Sequence, residues 1–256
     1  LCGALPDFLS EDSMNRSALL LSLPLAATVA ATPALQLTAQ ESRLRPVTVG
    51  SPMPDITLPV YQGGEMTLSD LRGKRVMLVF PRGFSRPDSW CHVCPYQLAE
   101  LADYDAASRF RENANLEILY VLPYNRETIG EWIRAFPQLF QDIEDRKNPP
   151  DAESLDAAGQ ARVERSKQVY PKTFWMEPEE VEQAFPILVD RDHAVSSGLG
   201  LFTTDWSGSD AEQNIPTILI IDENGILRFK YMSQNTVDRP PLDYLVWFLD
   251  KLAENP

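Results

Sequence analysis

The sequence predicts an α/β domain with a central mixed sheet flanked by helices and interrupted by a helical insertion. Three observations carry this. Two short apolar runs, Val76 to Phe80 and Leu116 to Leu122, have the composition of buried strands, and each is followed by a segment with helical spacing of apolar residues. The order strand, helix, strand, helix requires parallel strands joined by crossover helices. Two later runs, Thr217 to Asp222 and Ile226 to Tyr231, are separated by Glu223-Asn-Gly225, a hairpin signal that adds an antiparallel pair.

Bulk properties set the bounds. With 256 residues and 44% hydrophobic content, the chain can bury a core, and disorder throughout is excluded. A net charge of −14 argues against nucleic acid or an anionic membrane surface as partner, because both require a basic face. Three cysteines are too few for a disulfide framework.

Met14-Asn-Arg-Ser is a short basic stretch, and the apolar run from Ala18 to Ala31, with small residues near Ala31 and Ala34, reads as a signal-like segment within residues 1–35. The run is short and broken by Pro24, which disfavours a transmembrane helix. The expectation is an exported protein, periplasmic or anchored facing the periplasm. Residues 36–48 read as a linker and the domain is expected over 49–256. Gly50 to Val60 reads as an edge strand that tolerates proline. Ser69 or Asp70 is expected to cap a single turn ended by Gly73. Glu127 to Phe140 has helical spacing at Ile129, Trp132, Ile133 and Phe136. Residues 141–180 are charged and proline-broken, an insertion in which Phe174 and Trp175 are candidates for a lid over the site. Phe185 to Asp190 is a strand, Ala194 to Leu199 a short helix, and Pro241 to Leu252 a final amphipathic helix.

The chemistry lies between the first strand and its helix, in Trp90-Cys91-His92-Val93-Cys94-Pro95. A strand, a loop and a helix start in that order put both sulfurs at the positive end of a helix dipole, which favours thiolate over thiol. A thiolate is the nucleophile in disulfide exchange and peroxide reduction, and a second cysteine one turn on can close a disulfide. Structural zinc is disfavoured, since it normally takes four ligands and only Cys2, His92 and His193 stand beside the pair. An inert buried pair or structural disulfide is the other bland reading. The strand-before, helix-after context favours a dithiol redox centre, with Cys91 and Cys94 as catalytic residues and no cofactor beyond their own disulfide.

The layout resembles the thioredoxin-like fold, and within it the redoxin branch that contains the alkyl hydroperoxide reductase/thiol-specific antioxidant family. The resemblance spans residues 49–253 apart from the insertion. It rests on Phe80 to Gly83 followed by Trp90-Cys91-His-Val-Cys94, on Asn214-Ile-Pro216-Thr before a strand, and on Ile221-Asp-Glu-Asn-Gly-Ile-Leu-Arg228. In the thioredoxin register it implies that Cys91, the more exposed sulfur, attacks a substrate disulfide and Cys94 resolves it. Protonated His92 would stabilise the thiolate, Trp90 would cover the site, and Pro216 would leave backbone groups open to an extended substrate. Pro95 would kink the helix. In a second register, Pro87-Asp-Ser-Trp-Cys91-His-Val-Cys94-Pro95 resembles the peroxiredoxin pattern P-x-x-x-T/S-x-x-C-P, which makes Cys94 the peroxide-reactive sulfur. That pattern implies an arginine near residue 215, where this chain has Pro216, leaving Arg82 or Arg86 to replace it. The partners implied are a disulfide-containing protein or a hydroperoxide, and a thiol reductant such as a thioredoxin-like donor. A copper chaperone of similar fold is the competing class, with His193 as third ligand.

Overall fold

The computed structural model describes residues 44–254; the signal-like segment and the first part of the expected linker lie outside the described residues. The chain opens with a hairpin of β1 (Thr57–Pro59) and β2 (Glu65–Thr67) and a 3₁₀ turn over Leu68–Leu71. Next come β3 (Arg75–Phe80), a small hairpin of β4 (Phe84–Arg86) and β5 (Ser89–Trp90), helices α1 (Val93–Ser108) and α2 (Phe110–Asn113), and β6 (Leu116–Leu122). Four helices follow in two pairs, α3 (Arg126–Arg134) with α4 (Phe136–Lys147), then α5 (Ala157–Val169) with α6 (Pro178–Ala184). The chain ends with β7 (Ile187–Val189), α7 (Ala194–Gly198), β8 (Phe202–Thr203), β9 (Gln213–Asn214), β10 (Thr217–Ile221), β11 (Leu227–Met232) and α8 (Leu242–Glu254).

The main sheet has five strands in the order β11-β10-β3-β6-β7. β3, β6 and β7 are parallel, and β10 is antiparallel to both β3 and β11. The mixed sheet read from the sequence is therefore present. Every residue of β3 is buried because helices or loops cover both faces of a central parallel strand. The pleat divides the core in two. Met77, Val79, Ile118, Tyr120, Leu122, Ile218 and Ile220 face α1, α3, α4 and α8. Val76, Leu78, Phe80, Leu119, Val121, Leu219 and Ile221 face the β1–β2 hairpin, α7 and the chain entry.

Differences from the sequence reading have local causes. The long Gly50–Val60 strand shrinks to β1, since Pro52 and Pro54 cannot donate to a ladder. The 3₁₀ turn lacks a side-chain cap; Ser69 is held instead by Asp55, which accepts from its backbone N–H at 2.9 Å and its hydroxyl at 2.8 Å. The expected Glu127–Phe140 helix is two helices. Pro137 has no N–H to give, so the first helix stops at Arg134 and the proline takes a first-turn position in α4. Pro95 does not break α1, whose sixteen residues run unbroken, because it too sits in the first turn where N–H groups have no helical partner. Residues 44–48 are packed onto the domain: Leu44 joins the second core, and the Val47 carbonyl accepts from Lys230 at 3.2 Å. Among the described residues no helix is long and apolar enough to cross a membrane.

The β10–β11 turn is fixed by Asp222, 3% exposed. Its carboxylate accepts from the Asn224 N–H (2.9 Å), the Ile226 N–H (2.8 Å) and Arg228 Nε (2.6 Å). Asp222→Ala leaves two backbone amides of the turn and a guanidinium without that acceptor, so it should lower stability by about 2 kcal/mol in urea denaturation while leaving the thiols reactive.

Candidate active site

Strand β3 delivers Pro81, Arg82 and Gly83 to the edge of the first core, and Gly83 makes the site. Its φ is +76°, and a Cβ placed there would meet the Tyr124 hydroxyl at 2.2 Å, so only glycine fits. The Gly83 carbonyl accepts the Cys91 N–H at 2.9 Å, and its own N–H points to the Cys94 sulfur. Between these two contacts the chain makes the β4–β5 hairpin and turns into α1. The Tyr124 hydroxyl accepts the Phe84 N–H (2.9 Å) and donates to the Glu212 carbonyl (2.9 Å), tying the hairpin to β9 and to the loop after β6.

Both cysteines are free thiols, 4% and 1% exposed. The Cys94 thiol donates to the Cys91 sulfur, and this bond is the largest influence on Cys91, drawing it down to about 6. Burial opposes the shift, while Arg239, the Cys94 N–H and Arg82 add to it. Burial first, and then the Cys91 thiolate, push Cys94 well above the ordinary thiol range. The two shifts together favour the negative charge on Cys91 and the proton on Cys94.

Two guanidiniums supply the counter-charge. Arg82, on the sequence shortlist, is 5% exposed; Nε donates to Gln213 Oε1 at 2.6 Å, Nη2 donates to the Ser85 carbonyl at 3.1 Å, and the group lies over the Trp206 ring at 5.2 Å. Arg86 is exposed and stands apart from the thiols' electrostatic environment. Arg239, between β11 and α8, was not legible in the sequence. Its Nη1 donates to Ser233 Oγ (3.0 Å) and to the Asp238 carbonyl (2.7 Å), while Nε and Nη2 are buried with no partner. Nothing in Val237-Asp-Arg-Pro-Pro241 marks this arginine, because its role comes from the fold returning residue 239 to the start of α1.

The other shortlisted residues are placed differently from expectation. His92 faces α4, where Nε2 lies 3.2 Å from Asp142 Oδ2 and 3.0 Å from Arg146 Nη2. Burial, then Arg146, hold it below the ordinary histidine value against the pull of Asp142, which disfavours the protonated form that would stabilise the thiolate and leaves it as a link to α4. Trp90 stacks on Phe84 with ring centroids 3.8 Å apart and meets Tyr124 edge-on at 5.8 Å, which stiffens the hairpin. Pro216 is buried one residue before the Thr217–Phe80 pair, at the sheet end that carries the cysteine loop. Its surrounding backbone is not open: the Ile215 N–H donates to the Leu201 carbonyl (2.7 Å), Thr217 Oγ1 donates to the Ile215 carbonyl (2.8 Å), and the Ser233 N–H donates to the Pro216 carbonyl (2.9 Å).

Within the insertion, Tyr170 and not Trp175 approaches the site. Tyr170 and Phe174 pack edge-on against Tyr96 of α1 at 5.1 and 5.0 Å, and the Tyr96 hydroxyl accepts the Lys172 N–H at 2.9 Å. Burial, and next the charge on Cys91, raise the Tyr170 phenol above its ordinary range. Trp175 is 56% exposed and donates to Glu177. His193 stacks on Phe202 at 4.1 Å, and among the described residues no three His, Cys, Asp or Glu side chains converge to hold a metal, so the geometry does not supply the copper set that used His193.

Comparison with known proteins agrees with this architecture. The model of the AhpC/TSA family matches residues 49–230. Arg239 lies beyond the matched span. Among solved structures, AhpC of Mycobacterium bovis aligns with TM-score 0.51 and 17% identity over 83% of this chain and 96% of the other. The mitochondrial 2-Cys peroxiredoxin of Plasmodium falciparum aligns with TM-score 0.50 and 15% identity, covering 81% and 95%. A cysteine-to-serine mutant of the peroxiredoxin 6 of Arenicola marina aligns with TM-score 0.50 and 14% identity, covering 81% and 74%. A search of curated proteins finds no sequence match. Identities this low speak to the fold alone, but the family match covers most of the chain: it belongs to the AhpC/TSA family, as an oxidoreductase on a thioredoxin-like fold.

Proposed function

We propose that this protein is a thiol peroxidase that reduces small hydroperoxides at the Cys91–Cys94 pair. The observation that carries the reading is a thiolate that is both activated and hidden. Cys91 is drawn down to about 6, yet it is only 4% exposed, and the charge of Arg239, whose Nε and Nη2 have no partner, contributes to that pull. A protein disulfide cannot dock on sulfurs so deeply covered, and the bonded backbone around Pro216 offers no open edge to an extended peptide. A hydroperoxide needs only a channel for two oxygens.

The Cys91 thiolate attacks the distal oxygen of R–O–O–H, the O–O bond breaks, and the leaving alkoxide takes a proton to become R–OH. Arg239 Nε and Nη2, buried without a partner, are free to donate to the departing oxygen, and a buried donor acts on developing charge more strongly than one in water. Cys91 becomes a sulfenic acid. The Cys94 thiol, already bonded to that sulfur, displaces its hydroxyl, and water leaves with formation of the Cys91–Cys94 disulfide. An external thiol donor then returns the pair to two thiols. The second reading exchanges the roles: the register Pro87-x-x-x-Cys91-x-x-Cys94-Pro95 favours Cys94 as the attacking sulfur. The apolar Ala18–Ala31 segment supports export, so the activity is placed outside the cytoplasm, and cell fractionation tests that placement.

Stopped-flow tryptophan fluorescence on the reduced protein, with Trp90 beside the pair as reporter, separates these assignments. Cys94→Ser should still be oxidised rapidly by one equivalent of peroxide but stop at the sulfenic acid, while Cys91→Ser should not react. The reverse pattern assigns the attack to Cys94, and rapid oxidation by a protein disulfide with slow oxidation by peroxide overturns the peroxidase reading.

Because the thiolate is the reactive form, the rate of oxidation should rise with pH through an inflection near about 6 and level off above it. Cys94→Ala removes the hydrogen bond that most lowers Cys91 and should move this inflection upward. Arg239→Gln should slow oxidation ~10²-fold at saturating pH, the cost of losing one preorganised donor, and should raise the inflection as well.

A further inference from the structure

Arg82 is held by uncharged acceptors. Its Nε donates to Gln213 Oε1 at 2.6 Å, its Nη2 donates to the Ser85 carbonyl at 3.1 Å, and among the described residues no carboxylate pairs with it. Other arginines are neutralised where they stand: Arg75 lies 2.8 Å from Glu223, Arg111 lies 2.7 Å from Asp105 and Arg228 lies 2.6 Å from Asp222. Arg82 is buried more deeply than any of these, and a buried guanidinium without a carboxylate is an unfavourable arrangement unless the structure holds it in place.

The loop between β8 and β9 provides that hold. Gln213 is fully buried, and both ends of its amide are engaged. Its Nε2 donates to the Ala211 carbonyl (2.9 Å) and to Ser209 Oγ (3.3 Å), which orients Oε1 toward the guanidinium. Turned over, the amide would set its NH2 against the N–H of Arg82 and its oxygen against a carbonyl. Ser209 is fixed in turn by two backbone bonds with Trp206, both 3.1 Å, and the Trp206 ring covers Arg82 at 5.2 Å. Gln213 bridges to Gly83, and the Asn214 N–H donates to the Arg82 carbonyl at 3.2 Å, so this clamp is tied to the residue that holds both cysteines.

Besides burial, the groups that act on Arg82 are Cys91 and Cys94, then Arg239 and Tyr124. Cys91 faces Cys94, Arg239 and Arg82, together with the Tyr124 and Tyr170 phenols. The three acids of the loop, Asp205, Asp210 and Glu212, are exposed and, among the described residues, form no ion pair with Arg82. We propose that Gln213 is a positioning residue: it fixes Arg82 through a neutral oxygen, which holds the guanidinium in place without cancelling the charge it exerts on the dithiol. The inference rests on the reading of Cys91 as the reactive thiolate and adds to it a residue that acts through Arg82. A glutamate at this position would hold Arg82 equally well, but its own charge would offset the guanidinium at the sulfurs. An apolar side chain would leave Nε buried without an acceptor, a state relieved by moving the guanidinium toward water, where its pull on the thiolate is screened.

The test reads the ultraviolet absorbance of the thiolate against pH in the reduced protein, with Cys91→Ser as the blank, and hydrogen peroxide oxidation by stopped flow on the same samples. Gln213→Glu should not lower the Tm, since the hold on Arg82 survives, yet it should raise the Cys91 inflection and slow oxidation at a pH of about 6 by up to about tenfold. Gln213→Met should also raise the inflection, and in an Arg82→Met background it should add nothing further, because the residue it releases is gone. An unchanged inflection in Gln213→Glu overturns the inference, and so does an effect of Gln213→Met that is undiminished without Arg82. Neither outcome depends on turnover. The expected absorbance shifts in a protein that does not reduce peroxide support the clamp and overturn the peroxidase reading instead. If Gln213→Met does not fold, the inflection of Gln213→Glu, read beside its Tm, still decides.

Discussion

The site depends on Gly83 holding both ends of the cysteine segment at once. Its carbonyl fixes the backbone of Cys91, its N–H is directed at the sulfur of Cys94, and its missing side chain admits the Tyr124 hydroxyl. The hairpin between Gly83 and Cys91 is a detour that starts and ends at the same residue. Since β3 is buried on both faces, the position of Gly83 is set by the sheet and not by the loop, and the sulfurs inherit that rigidity. The thiol–thiolate hydrogen bond that lowers Cys91 requires the two sulfurs to stay in contact, which a flexible loop would not guarantee.

Much of this was legible in the sequence where a periodic signal and a short-range constraint coincide. The Val76–Phe80 and Leu116–Leu122 runs gave strands in the right places because a strand buried on both faces must be apolar throughout. Cys91 and Cys94 stood out because their spacing and the strand-to-helix context restrict what they can be. Arg239 did not, because it is more than 140 positions away in the chain and reaches the site only through tertiary structure. The partners of His92 are hidden for a related reason. Its place between the cysteines suggested a role on the thiolate, but the first turn of α1 directs it to Asp142 and Arg146 of α4, a helix that adjacency in sequence could not reveal.

Burial changes the meaning of the Cys-x-x-Cys pattern. In an exposed setting the first cysteine meets a protein disulfide and the second waits beneath it. Here both sulfurs are under cover, the backbone near Pro216 is fully bonded, and the strap from Tyr170 to Phe174 closes over α1 through Tyr96. The same two residues are thereby restricted to small oxidants, and discrimination between partners passes from surface complementarity to access. Regeneration must then involve either a small thiol or a local opening of the covering strap, because the disulfide forms where a protein reductant cannot reach it.

Charge distribution takes this one step further. At −14 the molecule as a whole repels anions, so an anionic substrate approaching at random is turned away by most of the surface. Arg82 and Arg239 hold positive charge against the thiols in spite of that overall sign. Both sulfurs are buried, so the field of these two groups acts on them at low effective dielectric and is screened little by salt. A uniformly basic protein would attract anions everywhere and gain no selectivity in where they bind. In this acidic protein the two guanidiniums act on the buried thiols rather than across the surface, and that placement is part of the site.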